Sequence, residues 1–369
     1  MKLKLKPLAE QVIVITGASS GIGRVTARLA AARGATVVLV ARDEVMLAEV
    51  VREIEEAGGT AAYKAADVGD QAAVDAAAAF AVERFGRIDT WVNDAGTSIF
   101  GHLLDIPNDE HEQMMRTNYF GTVHGCRAAV PFLRDRGGAL ITVGSIASDL
   151  PAPVMGAYSA TKQALKAYVE VLRMELGNAG LPISITLIKP SGIDTPIGQH
   201  TRNYLPGEAQ IPPVIYAPEL VADAILSAAT RPRREITVGG FGRLQVMLGL
   251  HFPWAYELLA PKATDALLSD PSRKQPPTNL WEGRGGAERS GERAAKSFSL
   301  YTKAAEHPAA AALGFAAIGG AAFALWRSRQ DKASTTRVRE GRADDAARVA
   351  DDQGKRAYNV PAREIAITS

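Results

Sequence analysis

Short apolar runs rich in Val, Ile and Leu recur along the first two thirds of the chain, and stretches of different spacing lie between them. "QVIVIT" (11–16), "ATVVLVA" (35–41), "TAAYKAA" (60–66), "IDTWVN" (88–93), "ALITVG" (139–144), "ISITLI" (183–188) and "REITVG" (234–239) predict seven β-strands. Several are apolar throughout rather than alternating, the pattern of strands covered on both faces. The intervening segments, such as "IGRVTARLAAARG" and "EVMLAEVVREIEEAGG", carry apolar residues at helical spacing and end at glycine. This alternation predicts an α/β domain over 8–270, with a doubly wound parallel sheet and right-handed crossovers. Ligands of such sheets bind at the carboxyl ends of the strands.

The pattern changes after about Pro271. "SRKQPPTNLWEGRGGAERSGERAAKS" is polar and rich in Gly, Pro and Arg, so 271–308 is expected to be a linker. "AAAALGFAAIGGAAFALW" (309–326) then runs 18 residues without a charge and predicts an apolar helix. That length is at the lower limit for crossing a bilayer. Two uses of it stay open: a membrane anchor, or a helix docked on another helix or a second subunit. Arg327, Arg329, Lys332, Arg337, Arg339 and Arg342 follow it closely. The positive-inside rule would keep that tail in the cytoplasm, with an α/β domain that is expected to carry no secretory signal, and one span cannot leave both ends on one side. The mixed-charge remainder, 327–369, is expected to be disordered.

Composition narrows the class. Hydrophobic residues make up 47% and charged residues 22%, proportions of a soluble globular protein with ample core. A net charge of +2 gives no ground for a nucleic-acid partner. Cys126 is the one cysteine, which excludes an intrachain disulfide and fits a reducing, cytoplasmic compartment. The six histidines lack ligand spacing, so no metal site is expected.

The candidate chemistry begins after the first strand. In "VITGASSGIGR", glycines at 17, 21 and 23 let the chain turn tightly and let a pyrophosphate approach a helix N-terminus. Their spacing is G-x3-G-x-G. With "NDAG" (93–96), Asn118 in "RTNYFG", Ser145 in "GSIAS", "YSATK" (158–162) and "KPSGIDT" (189–195), the sequence resembles the classical short-chain dehydrogenase/reductase family over roughly residues 8–250. The resemblance implies a Rossmann-type fold and an enzyme that moves a hydride between a nicotinamide cofactor and a carbonyl or secondary alcohol. Asp94 stands where the family usually has a second asparagine, and Ser191 interrupts Pro-Gly; neither departure falls on a proton-transfer position.

The resemblance assigns Tyr158 as acid–base, Lys162 as its neighbouring cation and ribose ligand, Ser145 as substrate orienter and Asn118 as support of a water relay. Tyr158 and Lys162 stand four residues apart, one turn of one helix face. A cation there favours the phenolate over a phenol whose free pKa is near 10. The cofactor contacts it implies are Gly17, Ser19, Ser20, Gly21, Ile22, Gly23, Arg42, Asp67, Val68, Asn93, Ala95, Gly96, Tyr158, Lys162, Pro190, Gly192, Ile193 and Thr195. The second strand ends "VLVARD": Ala41 occupies the end where an acidic residue would repel a 2′-phosphate, and Arg42, which could bind one, follows it, so NADP(H) is preferred and NAD(H) remains open. Asp43 offsets part of that attraction. The apolar segment between "PSGIDTPIG" and "YAPELVADAI" favours a hydrophobic small-molecule substrate. "YFGTVHGCRAAVPFL" and "QALKAYVEVLRMEL" carry wide apolar stripes, and family members commonly pair these helices between subunits, which implies a homodimer or homotetramer. A nucleotide-sensing binding protein is the alternative from another class.

Overall fold

The computed structural model describes residues 3–206, 214–263, 278–291 and 294–308, together with 310–313, 321, 323–324, 326–327 and 342–351. The chain divides into two units, 1–306 and 307–369. The first contains β1 (Val12–Thr16), α1 (Gly21–Ala32), β2 (Thr36–Ala41), α2 (Glu44–Glu56), β3 (Thr60–Ala65), α3 (Gln71–Phe85), β4 (Thr90–Asn93) and β5 (Ile99–Phe100). There follow α4 (Asn108–Met115), α5 (Gly121–Leu133), β6 (Gly138–Val143), α6 (Gly156–Asn178), β7 (Ile183–Pro190), α7 (Ile197–His200) and β8 (Arg202–Asn203). The series closes with α8 (Pro218–Thr230), β9 (Glu235–Val238), α9 (Gly240–His251), α10 (Pro253–Ala263) and α11 (Leu300–Glu306).

All seven expected strands are present and form one parallel sheet in the order β3-β2-β1-β4-β6-β7-β9. Strand order reverses between β1 and β4, where the chain leaves a crevice at the carboxyl edge. Every residue of β1, β4 and β6 is buried, which is why these runs are apolar without alternation. One face of the sheet packs on α1, α2 and α8, with Leu47, Val50, Ile54, Val221 and Ile225 in that layer. The other packs on α3, α5 and α6 through Val74, Ala77, Cys126, Leu133, Leu165 and Val169. Local chemistry sets the helix starts. The carboxylates of Asp43 and Asp70 accept the Met46 and Ala72 amides, satisfying donors that the first turn leaves open.

The expected linker departs from expectation in its described part. Lys296 bridges to Tyr216, and α11 packs against β9, where the Gly239 amide donates to Thr302 Oγ1 at 3.0 Å. Residues 279–290 run along the carboxyl edge of the sheet. The polar, glycine-rich composition that suggested solvation instead supplies hydrogen bonds to the domain. Gly283 and Gly285 also let the backbone lie close, since an added Cβ would sit 2.7 Å from Arg42 Cβ and 2.5 Å from Met46 Cγ.

In the second unit, residues 310–313 and 342–351 are helical, the latter inside the stretch expected to be disordered. Most of the predicted 309–326 helix, and most of 327–369, lie outside the described residues. No helix among the described residues is long and apolar enough to cross a membrane.

Candidate active site

Tyr158 and Lys162 lie on the first turns of α6, both buried, with Lys162 Nζ 5.6 Å from the centre of the Tyr158 ring. Lys162 Nζ donates to the Val143 carbonyl at 2.9 Å, which ties the ammonium to the carboxyl end of β6. Two residues further, Ser145 caps the short turn Ile146–Ser148, its Oγ accepting the Ala147 amide at 3.1 Å. The Ser145 hydroxyl also interacts with the Tyr158 phenol. Asn118 occupies a π-helical turn, Arg116–Phe120, between α4 and α5. Its Oδ1 accepts the Thr97 amide at 2.8 Å, while its Nδ2 donates to the Thr97 carbonyl at 2.9 Å and Thr161 Oγ1 at 3.0 Å. A Cβ placed on Gly96 would lie 3.4 Å from Asn118 Oδ1 and 3.8 Å from Lys162 Nζ, so these groups flank one glycine.

The electrostatics correct one expectation. Burial pushes the Tyr158 phenol up to about 12, with Ser145 opposing the rise and Asp94 adding to it. The adjacent lysine does not overcome that desolvation in the protein alone. Burial likewise lowers Lys162 to about 8, and the Asp94 carboxyl partly restores it. Asp94 itself is raised to about 7 by burial, against the pull of Lys162 and of the Gly23 amide. The substitution of asparagine by Asp94 therefore does act on both proton-handling groups, contrary to the reading from sequence.

The glycine turn is built by close approach. Gly17 has φ +73, and a Cβ there would fall 2.8 Å from the backbone of Ala95; at Gly23 it would fall 2.4 Å from the Gly17 carbonyl oxygen. Thr16 Oγ1 accepts the Asp94 and Ala95 amides, joining the ends of β1 and β4. A cavity of about 600 Å³ runs from this turn to Tyr158. Gly17, Ser19, Ser20, Gly21, Ile22, Arg42, Asp67, Val68, Ala95, Gly96, Ser145, Tyr158, Lys162, Pro190, Gly192, Ile193 and Thr195 line it. Gly23, Asn93 and Asn118 stand behind the wall. Gly23 packs on Gly17, and Asn93 is buried, accepting the Trp91 indole N–H at 2.8 Å.

The cavity shape, the cradle that a Cβ would fill and the donors around it fit a dinucleotide. Its far end is apolar, with Phe100, Leu150, Met155, Val214, Phe241 and Tyr256. Val214 has φ +62, a costly conformation for a β-branched residue and one that concentrates at functional sites. Asn279, Gly283 and Arg284 also line the cavity. Sequence reasoning missed these three because a polar, glycine-rich run carries no periodicity; it missed the action of Asp94 although the residue was visible as a departure.

Arg42 differs in its surroundings from a free phosphate ligand. Its guanidinium donates to the carbonyls of Asn279, Trp281 and Leu280 at 2.6, 3.0 and 3.5 Å. Asp43, besides capping α2, accepts the Gly285 amide at 2.8 Å.

Comparison with known proteins agrees with this architecture. Residues 11–205 match the family model described as short chain dehydrogenase. The uncharacterized oxidoreductase YxnA of Bacillus subtilis (strain 168) is 43% identical over 314 residues, covering 83% of this chain and 88% of its own. Dehydrogenase/reductase SDR family member 7B of Danio rerio is 33% identical over 65% of this chain and 81% of its own. Among solved structures, a short chain dehydrogenase/reductase from Burkholderia phymatum in complex with NAD shares 25% identity, with a TM-score of 0.61 over 73% of this chain and 99% of that one. An alcohol dehydrogenase from Thermococcus sibiricus complexed with 5-hydroxy-NADP shares 27% identity, with a TM-score of 0.55 over 62% and 95%. A glycine turn folded against β4, a tyrosine and lysine one helical turn apart at the same cleft, and a family match spanning more than half the sequence converge: the chain belongs to the short-chain dehydrogenase/reductase family and is a nicotinamide-dependent oxidoreductase.

Proposed function

We propose that the protein interconverts a hydrophobic carbonyl compound and its secondary alcohol, with NADP(H) as the preferred cofactor and Tyr158 as the acid–base. The observation that carries this is the convergence of Ser145, Tyr158 and Lys162 at one end of a cavity whose other end is the glycine turn and Arg42. A nicotinamide dinucleotide supplies or accepts the hydride when bound there. Ile22 and Thr195 would hold the pyrophosphate at the N-terminus of α1, where backbone amides and the helix dipole favour an anion, and Gly21 beside them keeps the approach free of a side chain. Lys162 would hold the nicotinamide ribose, Asp67 and Val68 the adenine, and Arg42 a 2′-phosphate.

In the reducing direction, Tyr158 gives its phenolic proton to the substrate oxygen as that oxygen gains negative charge. In the oxidising direction the phenolate takes the hydroxyl proton back. The Ser145 hydroxyl donates to the same oxygen and fixes it near the phenol. The Lys162 ammonium stabilises the phenolate left after transfer. Asn118 anchors the Thr97 loop beside Lys162 and would support a water that returns the proton. The cavity's apolar end selects a hydrophobic substrate by burying it.

Turnover with a panel of ketones, aldehydes and alcohols, read as nicotinamide absorbance, tests the assignment. Loss of an acid–base group costs about 10²–10⁴-fold in rate, so Tyr158→Phe should fall by that factor while still binding dinucleotide. Undiminished turnover in Tyr158→Phe would remove the phenol from the mechanism.

A further inference from the structure

The segment Asn279–Ser290 crosses the mouth of the cofactor cleft, and its contacts follow the cleft from end to end. At the substrate side, Asn279 accepts Thr97 Oγ1 at 2.6 Å, and Thr97 is itself held by Asn118. Leu280 is fully buried in a cluster that includes Ala157 and Tyr158. At the end of β2, the carbonyls of 279–281 surround Arg42, and the Gly285 amide reaches the Asp43 carboxylate. Over the glycine turn, the Gly286 amide donates to the Ser19 carbonyl and the Ala287 carbonyl accepts the Gly21 amide, both at 3.2 Å. Past it, Ser290 donates to Asp194 from its amide at 3.1 Å and from its hydroxyl. Beneath this run the cavity stays open, lined by Asn279, Gly283 and Arg284 on one side and by the glycine turn on the other.

A wall attached through its own hydrogen bonds, with a cavity behind it, encloses what the cavity holds. We infer that residues 279–290 form a strap that is the outer wall of the cofactor site, and that a bound dinucleotide leaves only after the strap unlatches from Arg42, Asp43 and the glycine turn. This rests on the reading of the cleft as the dinucleotide site. The latch is chiefly main-chain hydrogen bonding, which explains how it coexists with a side-chain sequence of low apolar content. Arg42 holds the strap and lines the cavity at once, so this side chain belongs both to the wall and to the binding face.

The strap carries its own probe. Arg284 and Arg289 lie on it with partly exposed side chains, so trypsin cleavage after Arg284 reports whether it is latched. In the full-length protein, with peptides followed by mass spectrometry, saturation with reduced NADP(H) or NAD(H) should slow that cleavage about tenfold or more, because a dinucleotide held only behind the latched strap lowers the open population by the factor 1 + [L]/Kd. Gly285→Pro removes the amide that donates to Asp43 and places ring atoms against Met46. In that variant the cleavage should accelerate and the dissociation of reduced dinucleotide, followed by its fluorescence on dilution, should quicken by about tenfold.

A dinucleotide that fluorescence shows to be bound, yet that leaves cleavage after Arg284 unslowed, overturns the strap. So does faster cleavage in Gly285→Pro with an unchanged dissociation rate. Should Gly285→Pro fail to fold, hydrogen exchange at the Gly285 and Gly286 amides of the unmodified chain decides: slower exchange with dinucleotide bound supports the strap, and unchanged exchange refutes it. Failure of either dinucleotide to bind at all is a different result, which removes the cofactor reading of the cleft and the strap with it.

Discussion

Asp94 shows how much one side chain changes at a buried site. Where the family usually has a neutral amide, it places a carboxyl on the cavity that Lys162 and Tyr158 also line. Its charge holds the Lys162 proton more tightly and disfavours the phenolate. Asp94→Asn should therefore let Lys162 lose its proton below about 8, its value in the wild type. The alkaline limb of the kcat/KM profile should then move to lower pH; an unmoved limb would show that Asp94 is electrostatically silent. Stability gives a second readout. A carboxyl raised to about 7 in the folded state favours folding fully only below its unfolded value near 4, and that contribution is lost as pH rises through about 7. Asp94→Asn should accordingly melt above the wild type at pH 8, with the gap closing toward pH 4. At the same scale, Arg42→Asp should shift the ratio of kcat/KM for NADP(H) over NAD(H) down by about tenfold or more, since a carboxylate repels a 2′-phosphate. A retained preference for NADP(H) would remove Arg42 from cofactor choice.

At the scale of elements, the glycine turn is the joint between β1, α1 and the end of β4. A Cβ on Gly23 would meet the Gly17 carbonyl oxygen, a backbone atom that cannot rotate away, so α1 would have to retreat from the sheet. Gly23→Ala should cost about 1–3 kcal/mol in denaturant unfolding and weaken dinucleotide binding in parallel. Stability and binding both at wild-type values would show that the turn tolerates a methyl group. This turn was legible in the sequence because glycine spacing is a local code, and the seven strands were legible because burial on both faces forces continuous apolar runs. The Ser145, Tyr158 and Lys162 set could be read from spacing and family resemblance, and the structure places all three at one cavity. Residues 279–290 were not legible. Their order comes from backbone hydrogen bonds to groups some 240 positions earlier, as between Gly285 and Asp43, and such bonds leave no trace in side-chain pattern. The raised value of the Tyr158 phenol in the protein alone was not legible for a related reason, because helical spacing reveals the neighbouring cation and says nothing of burial.

At the scale of the molecule, the π-helical turn that leads into α5 leaves Phe120 exposed, and α6 leaves Val171 and Met174 exposed, on the segments expected to pair between subunits. The proposal of a dimer through this face predicts that Met174→Asp shifts the mass measured by light scattering toward the monomer, whereas an unchanged mass would place any interface elsewhere. The whole molecule also fixes where it can be shortened. The strap joins the chain's first unit from beyond residue 278, so a cut near residue 271, where composition changes, would strip one side from the nucleotide cleft while leaving the sheet intact. Shortened versions meant to isolate the contribution of the tail must therefore end after Glu306. Otherwise a change in cofactor handling would be charged to the tail when its source is the missing side of the cleft.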